Sequence, residues 1–228
     1  MKRLFNWLLR PLRRPAPIEI IVAGLLVILV LSFLVVKLLT FGSIIILGQV
    51  QNAVTGQPLA GAKVRMGDTV LLTDERGRFS IYVPARESIT VSAEGFEEQE
   101  SHLGLNPFPV VKLPPDPLTT FELIRSWEEA GQYVKQFDLL HPDSQRSFTR
   151  KEFIRIMEMS TNYEIVRATY DKVISLPTWD YYGEVYTDVV EVPMWVTIVI
   201  DGQERTYHWR GHLVKVDGIW RWFRELPE

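Results

Sequence analysis

His208 and His212 are the first pair to weigh as metal ligands, since imidazoles are common zinc donors. Both fall in a stretch rich in β-branched and aromatic residues. Four residues along a strand span ~13 Å, whereas one ion bridges donors held at ~2 Å, so the spacing argues against a shared metal. His141 precedes Pro142, where an imidazole serves better to cap a helix end than to act as a general base. Asp138, Tyr163, Tyr170, Asp171, Tyr186 and Asp188 carry the carboxyl and phenol groups that proton transfer requires, but their spacing selects no constellation. There is no Gly-x-Ser-x-Gly nucleophile elbow, no phosphate-cradling glycine loop and no dinucleotide fingerprint. The expectation is therefore no catalytic residues, no cofactor and no bound metal.

Charge and composition narrow the partners. The net charge of −3 divides into +5 on residues 1–17 and −8 on the rest, and an acidic body with scattered bases is unsuited to nucleic acid. With no cysteine, neither disulfides nor thiolate chemistry is available.

Three kinds of element must position whatever chemistry exists. Residues 18–41 are apolar apart from Glu19, Ser32, Lys37 and Thr40, a length that predicts a single transmembrane α-helix. The basic tail 1–17 predicts a cytoplasmic N-terminus, with the C-terminal part outside the cell, by the positive-inside rule. Around Trp7 that tail has the makings of a short amphipathic helix. The run exceeds a cleavable signal's apolar core and lacks an Ala-x-Ala site, so the expected state is an uncleaved signal anchor in the cell membrane.

Residues 44–113 show short β-branched runs separated by Thr55-Gly56-Gln57-Pro58, Gly67-Asp68, Asp74-Glu75-Arg76-Gly77 and Glu94-Gly95, which predicts a small all-β antiparallel sandwich. Gly48-x-Val50, Gly56-Gln57-Pro58-Leu59-x-Gly61-Ala62-x-Val64, Thr73-Asp74-x-x-Gly77-x-Phe79 and Val91-Ser92-Ala93-x-Gly95-Phe96 follow in order. With these motifs the segment resembles the carboxypeptidase regulatory-like (transthyretin-like) domain. That resemblance implies a non-catalytic accessory module. Asp74 is expected to accept amides of its own turn rather than to serve a site.

A proline-rich linker at 114–118 leads to residues 119–228. Thr119 with Glu122 and Thr149 with Glu152 read as capping boxes opening two helices, the first running to Asp138. Strands are predicted near 163–176, 184–200, 203–216 and 219–225. Asp201-Gly202 and Asp217-Gly218 close hairpins that pair Val196 with Tyr207, Met194 with Trp209, and Leu213 with Trp222. Pro193, unable to donate to a ladder, marks a bend.

The helix at 121–138, the Leu140-His141-Pro142-Asp143-Ser144 turn and the closing Val214-Lys215-Val216-Asp217-Gly218-Ile219-Trp220-Arg221-Trp222 run resemble a nuclear transport factor two-like domain. The resemblance implies an α+β cone with helices packed on a curved antiparallel sheet. On the sheet's other face Trp195, Val199, Val214 and Phe223 form a possible interface for self-association.

The resulting expectation is a membrane-anchored extracytoplasmic binding or scaffold protein with two non-catalytic modules. Its partners would be the membrane, a protein or cell-envelope polymer, and a second copy. The alternative is a cone-pocket enzyme, isomerase- or hydrolase-like, acting on a small hydrophobic substrate.

Overall fold

The computed structural model describes residues 17–41, 43–84, 88–102, 106–160 and 163–224, so the expected cytoplasmic tail and its amphipathic stretch lie outside the described residues. Helix α1 (Pro17–Phe41) opens the chain. The expected transmembrane helix is not upheld: among the described residues no helix is long and apolar enough to cross a membrane. The assignment of the remainder to the outside of the cell depended on that span.

The first domain packs two sheets face to face. Strands β1 (Ser43–Asn52), β4 (Arg78–Pro84) and β7 (Val110–Leu113) form one; β2 (Lys63–Met66), β3 (Thr69–Leu72), β5 (Ser88–Ser92) and β6 (Gln99–His102) form the other. The sandwich is as expected, with one correction: β1 and β7 pair in parallel, so it is not antiparallel throughout. Ile46, Val50, Val64, Phe79, Ile81, Ile89, Val91, Val111 and Leu113 fill the space between the sheets.

The turn leading into β4 explains itself. Asp74 Oδ1 accepts the amides of Arg76 (2.9 Å) and Arg78 (2.7 Å), and Gly77 takes φ +68° against the carbonyl of Val50. A Cβ there would lie 2.5 Å from that oxygen, so glycine is required twice over. Phe79 then enters the core and lays its ring over Gly48, where a Cβ would sit 2.1 Å from Phe79 Cζ.

The second domain stacks short helices on one five-stranded sheet. Helix α2 (Pro117–Glu129) starts earlier than its capping-box pattern implied. Asp116 is the cap, its Oδ1 accepting the Thr119 amide at 2.7 Å, and Pro117 takes the first helical position. The expected single helix to Asp138 is two. Gly131 at φ +65° ends α2, the Gly131 and Gln132 amides return to the Glu128 and Trp127 carbonyls, and α3 (Tyr133–Asp138) follows. After α4 (Pro142–Arg146), helix α5 (Arg150–Ser160) opens with the expected box: the Thr149 amide donates to Glu152 Oε2 at 2.8 Å and the Glu152 amide to Thr149 Oγ1 at 3.2 Å.

The sheet runs β12-β11-β10-β8, with β9 also on β10. Strands β10 (Glu184–Ile200) and β11 (Gln203–Val216) have the predicted bounds and register, including Val196 with Tyr207 and Met194 with Trp209. Strand β12 (Ile219–Trp222) brings Leu213 opposite Trp222. The run expected at 163–176 is divided into β8 (Glu164–Tyr170) and the start of β9 (Ile174–Tyr181). β9 pairs with residues 184–191 of β10 and β8 with residues 194–199. Pro193 sits at that changeover, where its missing N–H costs no ladder bond on this edge.

Val192, Met194, Val196, Ile198, Leu213 and Trp222 face Phe121, Ile124, Trp127, Leu140, Phe153 and Met157 across the helix–sheet layer. The closest approach is at Gly211, where an added Cβ would fall 1.9 Å from Phe121 Cε2. Gly48→Ala and Gly211→Ala should each destabilise by about 1 to 3 kcal/mol through overpacking. Urea midpoints of the two single variants check this.

Candidate functional site

The two domains meet through a built joint. The Glu97 amide donates to the Pro114 carbonyl (2.9 Å) and that of Asp116 to the Gly95 carbonyl (2.9 Å), so the linker lies against the first domain. Glu97 then reaches β11 and β12: Oε1 accepts Trp220 Nε1 at 2.8 Å, and Oε2 pairs with Lys215. From the other side Val54, in a turn whose amides Asn52 Oδ1 caps at 2.8 and 3.1 Å, packs into the second domain's core. Between them runs a groove of about 620 Å³ whose walls include Val54, Gln57, Trp127, Lys135, Ile219 and Arg221.

The second cleft, of about 650 Å³, opens between α2 and the sheet. Phe121, Ile124, Ile165, Met194, Trp209 and Trp222 supply apolar walls. Its polar groups are Arg125, Glu128, Tyr163, His208, Arg210 and Arg224, with Ser160 at the end of α5. Tyr163 donates its hydroxyl to Glu128 Oε1 at 2.7 Å, and burial together with that carboxylate pushes the phenol well above its ordinary range. Arg125 Nε donates to the Tyr170 hydroxyl at 2.8 Å while its Nη1 pairs with Glu129. Arg224 differs: its Nε is buried and has no hydrogen-bond partner, and no carboxylate lies within ion-pair distance of it among the described residues. Leu213 is fully buried and Trp222 nearly so in the layer beneath. Glu128 is the cleft's one carboxylate, and the phenol beside it is held protonated. Among the described residues that line the cleft there is no facing pair of acids for concerted proton transfer.

The residues singled out from sequence are dispersed. Trp195 is 46% exposed and donates Nε1 to Asp171 Oδ2 at 3.1 Å, with the His208 ring beside it at 4.5 Å. Val199 and Val214 are half-buried, whereas Phe223 is 4% exposed and lies inside an aromatic cluster. There His141 stacks on Phe223 at 4.3 Å, His212 stacks on Trp179 at 4.2 Å, and Tyr181 and Tyr186 close the edges. His212 Nε2 meets Glu191 Oε2 at 3.2 Å, while Tyr186 donates to Asp143. His208 and His212 therefore have separate partners. Asp138 pairs with Arg150, and Asp188 is an exposed strand residue at φ +55°. No group of three or more metal-capable side chains occurs among the described residues. Arg224 and Glu97 were missed because neither lies in a local pattern; their roles depend on contacts far away in sequence.

Residues 45–114 match the carboxypeptidase regulatory-like domain, and this segment is a domain of that kind. No curated protein matches the chain. Among solved structures, a SEC-C motif containing protein from Rhodopseudomonas palustris aligns over 47% of this chain and 75% of its own, at 12% identity and a TM-score of 0.37. A protein of unknown function from Bacteroides fragilis, provisionally described as membrane-associated, aligns over 68% of this chain and 59% of its own, at 18% identity and a TM-score of 0.26. Similarities this weak carry no argument. None of the comparisons supports the nuclear transport factor two-like resemblance of residues 119–228.

His141 yields a pH test. Its Nδ1 accepts the Asp143 amide at 3.3 Å, capping α4 in the neutral form, and burial pulls its pKa below the ordinary 6.5, with Arg146 and Arg221 adding to the effect against Asp143. The unfolded chain thus takes up the proton first. The stability this residue contributes is full above about pH 6.5 and declines as pH falls toward the lower folded-state value. Thermal unfolding of the His141→Asn variant, which keeps a capping oxygen, should lose less stability between pH 7 and 5.5 than the parent.

Proposed function

We propose that the chain is a non-catalytic scaffold whose carboxypeptidase regulatory-like domain holds the helix-and-sheet domain in one fixed orientation, presenting its exposed surfaces to a protein or cell-envelope partner. The observation that carries this reading is the joint. One carboxylate, Glu97, is bonded by both Trp220 and Lys215 of the second domain, while the linker is hydrogen-bonded along the first. Domains meant to swing past each other have few such contacts. The clefts support the reading too, because their charged groups are paired or isolated rather than arranged as acid, base and nucleophile.

The absence of native cysteine makes the orientation measurable. Spin labels at Asp68→Cys and Gln203→Cys, both exposed sites in different domains, should give a single narrow distance distribution. Glu97→Ala should broaden it while leaving each domain's circular dichroism unchanged. A broad distribution in the otherwise unaltered chain would overturn the scaffold reading.

A further inference from the structure

The geometry points to the cleft beneath α2 as a binding site for an amphiphile with a single anionic head, a medium-chain carboxylate in its simplest form, anchored on Arg224. This names a ligand class for a surface of the proposed scaffold and extends that reading.

Three observations converge. The cleft has about 650 Å³ and walls of Phe121, Ile124, Ile165, Met194, Trp209 and Trp222, an apolar lining within the size range of small-molecule sites. Its three other charged groups are already engaged, Arg125 by Glu129 and Tyr170, Arg210 by Glu191 at 3.8 Å, and Glu128 by Tyr163 and, at 3.5 Å, Gln136 Nε2. Among the described residues the buried Nε of Arg224 has no hydrogen-bond partner, although buried donors are almost always satisfied. Its backbone is fixed on both sides, the amide donating to Ser144 Oγ at 3.0 Å and the carbonyl accepting the Tyr181 hydroxyl at 2.9 Å. The guanidinium is thus presented from a rigid base.

A guanidinium offers parallel N–H donors that a carboxylate accepts in fork geometry; the Nε of Arg224 is itself sealed off, so an anion in the cleft would meet the terminal Nη groups. The hydrocarbon tail would then lie along Met194, Trp209 and Phe121. A neutral alcohol of the same length would gain the apolar contacts without the charge. A cation would face Arg224 and be rejected.

Isothermal titration of the full-length chain with octanoate, decanoate and 1-decanol, each below its aggregation concentration, tests the proposal. Decanoate should bind about fifteenfold more tightly than octanoate, since each of its two extra buried methylenes contributes roughly fourfold. It should also exceed 1-decanol by at least about tenfold, as expected for one charge-assisted contact. Arg224→Met should reduce decanoate affinity to the level of the alcohol and leave alcohol binding unchanged. Equal affinities for acid and alcohol, no binding of decanoate, or an unchanged Arg224→Met variant would each overturn the assignment.

Should that variant fail to fold, decanoate labelled with carbon-13 at the carboxyl gives the same answer on the unaltered chain. Its resonance should titrate at lower pH when bound than when free, and an unchanged or higher midpoint counts against Arg224 as the anchor. Decanoate that binds but is recovered chemically altered would sink the non-catalytic reading while leaving the ligand class standing.

Discussion

Helix α2 lies where it does because Gly211 has no side chain. The Phe121 ring occupies the space a Cβ would take, which brings the helix closer to the middle of the sheet than any larger residue would permit. Much else follows from that approach. Ile124 and Trp127, a turn further along, reach the core, and Arg125 and Glu128 overhang the cleft at its edge. The helix N-terminus is meanwhile drawn against the first domain, where Thr119 Oγ1 lies 2.5 Å from the position a Cβ on Gly95 would take. One missing methyl group in a strand thus sets the roof of the cleft, and another in a turn sets the seam between domains.

Legibility from sequence followed the range of the interactions involved. Asp201-Gly202 and Asp217-Gly218 fixed their hairpins through two residues each, both adopting positive φ, and the register of 17 residues in β10 against 14 in β11 follows from the first of them. Asp74, Gly77 and Phe79 were readable for the same reason: cap, turn and buried ring lie within six positions. The first-domain motifs described local geometry of this kind.

What escaped was decided over distance or by competition between neighbouring signals. The apolar stripe through Leu123, Ala130 and Val134 continues across Gly131, so periodicity alone gave one helix where the glycine's left-handed conformation makes two. Asp116 outcompetes Thr119 as cap because Pro117 is already set for the first helical position. The parallel pairing of β1 with β7 joins residues some sixty positions apart and leaves no mark on either strand. The apolar run at the N-terminus was long by composition, yet among the described residues no helix is long and apolar enough to cross a membrane. Arg224 has an ordinary sequence context, and only the fold shows that its buried Nε has no hydrogen-bond partner among the described residues.

The two bonds on Glu97 respond differently to ions. Lys215 is 40% exposed, so its attraction to the carboxylate is screened as salt rises toward 1 M, where the Debye length shrinks to ~3 Å. The indole N–H of Trp220 carries no net charge, and its bond to the same carboxylate depends on direction and desolvation more than on the surrounding electrolyte. The interdomain seam therefore keeps one of its two ties across a wide range of ionic strength, and the half it yields first is the one that water can reach.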